Sequence, residues 1–159
     1  MRKQPATENS LTRPVNLLSV SPAAEDHISL KHIVAAPEWA NYTDSKWTLM
    51  SCSTLKKALA ALREGNLPIV ICDHDLPGGT WIELLEQTRT LPTPPYVIVA
   101  SRMADDTLWA EALNLGAYDV LAKPFDAQEV VRIVSLAWLH WRERQAIEPA
   151  KSMRYVAVA

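Results

Sequence analysis

Five short apolar runs alternate along the chain with five stretches of helical periodicity, and this alternation restricts the fold more than any other feature. The runs are VNLLSV (15–20), WTLMSC (47–52), LPIVIC (67–72), YVIVAS (96–101) and YDVLAK (118–123). Between and after them stand EDHISLKHIVAA (25–36), TLKKALAALREG (54–65), TWIELLEQTRTL (80–91), DDTLWAEALNLG (105–116) and DAQEVVRIVSLAWLHWRERQ (126–145). Helix boundaries are marked: acidic residues open the first and fourth stretches, Ser53 or Thr54 can cap the second, and Gly65 and Gly116 can end the second and fourth. The segment PEWANYTDSK (37–46) reads as a loop. The third and fourth apolar runs are almost wholly hydrophobic, the mark of strands buried on both faces of a parallel sheet covered by helices. The expected fold is α/β: a doubly wound, five-stranded parallel sheet of (βα)5 type.

Composition sets limits on function. With 159 residues, 48% of them hydrophobic, the chain is one ordinary domain with modest tails, able to bury a sizeable core. Residues 1–14, polar and broken by Pro5 and Pro14, read as a flexible leader; 15–145 as the domain, with an extended last helix; 146–159 as a tail too short for an output domain. A formal net charge of −2 offers no basic surface for nucleic acid, and no basic helix-turn-helix follows residue 145. The N-terminus lacks the apolar core of a signal peptide, and no run approaches the roughly 20 apolar residues of a membrane helix. A cytoplasmic protein is expected. Cys52 and Cys72 are too few for a disulfide framework and lack a Cys/His cluster that would suggest zinc; Cys72, inside a strand, reads as packing.

In an open parallel sheet, ligands collect beyond the carboxyl ends of the strands. Those ends carry Ser19, Val20 and Ser21 after the first strand, Asp73 and Asp75 after the third, Ser101 and Arg102 after the fourth, and Lys123-Pro124 after the fifth. A carboxylate, a hydroxyl and an ammonium can thus converge on one pocket suited to a compact anion. Two plainer roles stand beside that one. Asp73, in ICDHDLPGG (71–79), can simply cap the Pro-Gly turn, and Lys123 can serve as its structural ion-pair partner. His74 reads as polar surface, and no role attaches to His27, His32 or His140.

The run Asp73-His74-Asp75-Leu76-Pro77-Gly78 resembles the phosphoacceptor turn of bacterial response-regulator receiver domains, whose reactive Asp lies four residues before a Pro. VIVAS (97–101) followed by Arg102 resembles that family's fourth strand, and GAYDVLAKPF (116–125) its fifth strand and Lys-Pro. The resemblance spans about residues 14–142. It implies the flavodoxin-like receiver fold with strand order 2-1-3-4-5, and a protein that is not an enzyme but a switch in phosphorelay signalling. It further implies Asp73 as phosphoacceptor, Ser101 and Lys123 as the residues contacting the phosphoryl group, and a histidine kinase or phosphotransfer protein as partner. Transfer of this kind needs positioning and charge neutralisation above all.

Two departures bear on function. The family's acidic pair at the end of the first strand, which holds Mg²⁺, falls at Ser19 and Val20, and neither supplies a carboxylate. Asp73, with the backbone carbonyl or side chain of Asp75, makes a weak metal site. The family's switch aromatic falls at Val120, with Tyr118 two residues earlier. The expectation is therefore an atypical, stand-alone receiver acting through protein contacts, with Mg²⁺-dependent phosphorylation weakened or lost; the alternative is a fully functional phosphoacceptor. A small flavodoxin-like enzyme is the remote alternative, since no Ser-His pair is legible at the strand ends. Trp109, Trp138 and Trp141 suggest an interface, in this family often a homodimer through the fourth helix, fifth strand and fifth helix, although Trp138 can equally close the bottom of the core.

Overall fold

The computed structural model describes residues 14–158, with side chains described as far as Ile147; the expected leader, apart from Pro14, lies outside this range. Five strands build the main sheet: β1 (Val15–Val20), β2 (Trp47–Cys52), β3 (Ile69–Asp73), β4 (Tyr96–Ser101) and β5 (Asp119–Ala122). All pair in parallel, in the order β2-β1-β3-β4-β5, as the alternation and the resemblance led us to expect. The helices are α1 (Ala24–Val34), α2 (Leu55–Arg63), α3 (Trp81–Thr88), α4 (Asp106–Leu115) and α5 (Ala127–Val158). No helix among the described residues is long and apolar enough to cross a membrane.

Two apolar clusters cover the two faces of the sheet, and strand alternation decides which residue enters which. On one face Leu17, Ile69, Ile71, Ile98, Ala100 and Leu121 pack with Leu30 and Ile33 of α1 and Val130, Val134 and Ala137 of α5. On the other, Leu18, Val20, Val70, Cys72, Val97 and Val99 pack with residues of α2, α3 and α4, among them Trp81 and Leu84. The central strands are buried on both sides, which explains their unbroken hydrophobicity.

Local chemistry sets the ends of the elements. Thr54, Thr80 and Asp105 cap α2, α3 and α4, each side chain accepting the N–H three residues on. Gly116 closes α4 at φ 104°, and a Cβ there would meet Arg89 Nη2 at 2.7 Å. A two-residue antiparallel ladder pairs Asp75 and Leu76 with Thr80 and Gly79, and the Pro77-Gly78 turn between them needs the positive φ of 82° that glycine accepts.

Two stretches differ from expectation. Residues 37–41 are not loop but a 3-10 helix, opened by Pro37 and fastened by Trp39. The Trp39 ring stacks on Trp47 at 4.8 Å and its indole N–H donates to the Ile33 carbonyl at 2.7 Å. The last helix does not stop near 145 but continues to Val158, through the stretch expected as a tail.

Ile98 is fully buried in the centre of the sheet. Replacing it with Ala is expected to cost about 2–5 kcal/mol of unfolding free energy in urea titrations, whereas Met103→Ala, at an exposed loop position, should change stability by less than about 0.5 kcal/mol.

Candidate functional site

The carboxyl edge of the sheet is stitched by backbone hydrogen bonds one step beyond the strands. Ser21 N–H donates to Cys52 O, His74 N–H to Ala100 O and Lys123 N–H to Ser101 O, at 3.1, 2.9 and 3.0 Å. The last pair between β1 and β3 is Val20–Cys72, so Ser21 falls beside Asp73. By alternation Asp73 and Lys123 share the face of Ile71 and Leu121, and their side chains meet: Lys123 Nζ lies 3.0 Å from Asp73 Oδ1. Both side chains are sheltered, exposed by 15% and 9%. The peptide bond after Lys123 is cis, leading into Pro124.

A third ionised group enters from α1. Asp26, in the first turn of that helix, is 7% exposed, and its Oδ2 accepts from both Lys123 Nζ and the Ser21 hydroxyl, each at 2.6 Å. The ammonium is thus shared between two carboxylates, and its shorter contact is to Asp26. Burial alone would lower the Lys123 pKa, but hydrogen bonds to Asp26 and Asp73, and their charges, outweigh burial and leave it raised.

The residues flanking Asp26 engage the same edge. His27 Nε2–H donates to Ser21 O at 2.9 Å, and Nδ1 is hydrogen-bonded with the Ser19 hydroxyl at 2.8 Å. Glu25 approaches Arg102 to 3.5 Å at the rim, where both are largely exposed. A Ser-His pair therefore does exist at a strand end, contrary to the sequence reading. Ser19 is only 1% exposed, so its hydroxyl is closed to a substrate.

The remaining expected residues divide. Ser101 is buried, its hydroxyl accepting from Met103 N–H at 3.0 Å; among the described hydrogen bonds its side chain makes none to Asp73 or Lys123. The Asp75 side chain is 93% exposed and reaches only His74, at 3.4 Å. Val20 lies in the core on the opposite face from Asp73, and Val120 is buried there too. Tyr118 turns its ring onto Tyr96 and its hydroxyl to His140 Nδ1, 2.8 Å away. Trp138 meets Trp47 edge-on at 6.1 Å and stacks with Trp141 at 5.7 Å, while Trp141 donates to the Pro94 carbonyl. These two indoles close the base of the domain; Trp109 is half exposed on α4. Burial raises the Cys72 thiol pKa, with the Asp73 charge adding to it, consistent with a packing role.

Asp26 is the member of this cluster that sequence reasoning missed. Its signal was present in Glu25-Asp26-His27, but an acidic first turn is sufficiently explained by the helix dipole.

The donor set does not suit Mg²⁺. Ser19 and Val20 offer no carboxylate, Asp75 points away, and Lys123 stands within 3.0 Å of both acids that remain. Among the described residues no group of three or more His, Cys, Asp or Glu side chains is arranged to hold a metal ion.

Comparison with known proteins bears on the family and the fold. Residues 24–135 match the family model described as response regulator receiver domain. The DNA-binding transcriptional regulator NtrC of Salmonella typhimurium is 31% identical over 99 residues, covering 60% of this chain and 21% of that protein; the chain therefore aligns with about a fifth of this longer relative. Among solved structures, a signal receiver domain from Vibrio parahaemolyticus superposes with TM-score 0.73 at 21% identity, covering 85% of this chain and 98% of that one. The beryllofluoride-activated NtrC4 receiver domain dimer superposes with TM-score 0.67 at 21% identity, covering 79% and 98%.

Removing the shared ammonium should be costly, because it leaves two sheltered carboxylates facing each other. Lys123→Met is expected to lose roughly 3–5 kcal/mol of unfolding free energy at neutral pH. Since the folded-state pKa of Lys123 is raised, its contribution is complete below the unfolded value near 10.4 and is lost as pH rises through the folded value. The gap between wild type and variant should accordingly be flat at neutral pH and close only under strongly alkaline conditions, as denaturant titrations across pH would show.

Proposed function

The chain belongs to the response regulator receiver domain family, and from that membership we propose an atypical signalling module that acts through protein–protein contacts. On this reading Asp73 holds the phosphoacceptor position, and its Mg²⁺-dependent phosphorylation is weakened or lost. One observation carries it: Lys123 is already shared between Asp73 and Asp26.

Charge explains why that sharing matters. The two carboxylates and one ammonium leave the pocket with a net formal charge of −1. An acyl phosphate on Asp73 would carry about −2 beside the Asp26 carboxylate, and the ammonium in contact with both acids is already shared between them. Family members of ordinary kind meet this charge with a metal ion, and here the acids that would hold one are replaced by Ser19 and Val20. Ser101, expected to contact the phosphoryl group, accepts the Met103 N–H and keeps its own hydroxyl hydrogen to donate.

Contacts with partners then carry the signal. A histidine kinase, a phosphotransfer protein or another signalling protein fits this role, as does a second copy of the chain. The face of α4, β5 and α5 supports it with Trp109, Leu136 and Leu139, which remain 51%, 39% and 47% exposed. Large apolar side chains left in water on neighbouring elements are what protein contacts use. The NtrC4 receiver, similar in fold, forms a dimer in its activated state.

The opposing reading, a fully competent phosphoacceptor, draws support from the 3.0 Å approach of Lys123 to Asp73. Incubation with acetyl phosphate and Mg²⁺, followed by intact-mass measurement, separates the two. The expected outcome is no stable adduct on wild type or on Asp73→Asn. A stoichiometric phosphoryl adduct on wild type that disappears in Asp73→Asn would overturn the proposal.

A further inference from the structure

We propose that Lys123 is the resident cation of the acceptor pocket, and that Asp26, delivered by α1, stands in for the strand-end acids. The two form one device: an acid brought from a helix holds the protein's own ammonium where a divalent ion would otherwise balance Asp73. This deepens the reading of Asp73 as the acceptor carboxylate and rests on it, yet it concerns the resting pocket and requires no phosphoryl transfer.

The need arises at β3. A carboxylate sheltered from water must be compensated by charge and hydrogen bonds. Ser19, Val20 and Ser21 bring no charge to Asp73. Asp26 does not compensate it either, being an anion, but it fixes the ammonium that does. Its Oδ2 accepts one hydrogen bond from Lys123 and another from the Ser21 hydroxyl, while that hydroxyl oxygen accepts the Ala23 N–H at 3.1 Å. Ser21 is thereby engaged as donor and acceptor and has no hydrogen left for an incoming anion.

Asp26 is also held in place from both sides. His27 is hydrogen-bonded at both ring nitrogens to β1 and the residue after it, and Glu25 reaches Arg102 beyond β4. The first turn of α1 therefore cannot lift Asp26 away without breaking the contacts of His27. A divalent cation entering between Asp73 and Asp26 would have to expel the Lys123 ammonium from contacts of 3.0 and 2.6 Å. Without that ammonium the same two carboxylates would offer the hard oxygen ligands that Mg²⁺ and Mn²⁺ select.

Titration with Mn²⁺, followed by the loss of the free-ion signal in electron paramagnetic resonance, tests this directly. Wild type should show no saturable site up to about 1 mM Mn²⁺. Lys123→Ala should gain one site per chain, at least about tenfold tighter, and adding Asp26→Asn should abolish it. A stoichiometric site in wild type, or no gain in a folded Lys123→Ala, overturns the proposal. A second measurement does not depend on that variant folding. The nitrogen NMR signal of the Lys123 ammonium in wild type should stay in place on addition of Mg²⁺ and move in Asp26→Asn. Displacement by Mg²⁺, or indifference to Asp26→Asn, would overturn it. Neither experiment involves a phosphodonor, so a protein that takes a phosphoryl group would refute the functional reading and leave this one standing or falling on metal binding alone.

Discussion

A single ammonium group ties together elements that are far apart along the chain. Lys123 follows the last strand of the sheet, Asp73 ends the central one, and Asp26 opens the first helix. Ion pairs on a protein surface contribute little, but here all three side chains are largely withdrawn from water, so their mutual arrangement matters. The backbone does the positioning: strand pairing continues one residue past β3 and β5, which fixes where Asp73 and Lys123 begin their reach. Helix α1 then has to dock at one height and one rotation for Asp26 to arrive. Leu30 and Ile33 on its buried face set that docking against the sheet.

The fold was legible because it is written in hydrophobic period and in strand ends. β3 and β4 are buried on both faces, the pattern of central strands in a parallel sheet covered by helices on both sides. Asp73 and Lys123 were legible for a related reason: once strands are placed, their carboxyl ends are placed. Asp26 was not, because a helical side chain reaches a site only through the packing of its whole helix, and one sequence does not disclose that rotation. Val20 shows the converse. Counting residues set it at a metal-binding position, while strand alternation turns its side chain into the opposite core. Trp39 was hidden in a stretch of polar residues, where its burial against Trp47 makes a turn of 3-10 helix out of an expected loop.

The tripeptide Glu25-Asp26-His27 links four partners, Arg102, Lys123, Ser19 and Ser21, with three different chemistries: a rim ion pair, a sheltered ion pair and a hydrogen-bond bridge. Successive helical residues point about 100° apart, so they normally serve different surroundings. Here the strand-end loops curve round the first turn of α1 and meet it from several directions. The helix N-terminus is capped by no side chain of its own, and Asp26 N–H bonds instead to the Ala23 carbonyl. Position at the sheet edge, more than capping, holds this turn.

The six tryptophans fall into two spatial groups. Trp39, Trp47, Trp138 and Trp141 form a chain of rings at the amino edge of the sheet, with successive centroids 4.8, 6.1 and 5.7 Å apart. Trp81 and Trp109 belong to α3 and α4, at the other end, where the turn after Asp73 lies. Indoles so closely spaced exchange excitation, and their emission is pooled. The intrinsic fluorescence of this protein is therefore weighted toward the end of the sheet away from the carboxylates. An optical change on ligand binding would register there only if the disturbance crossed the full length of the strands.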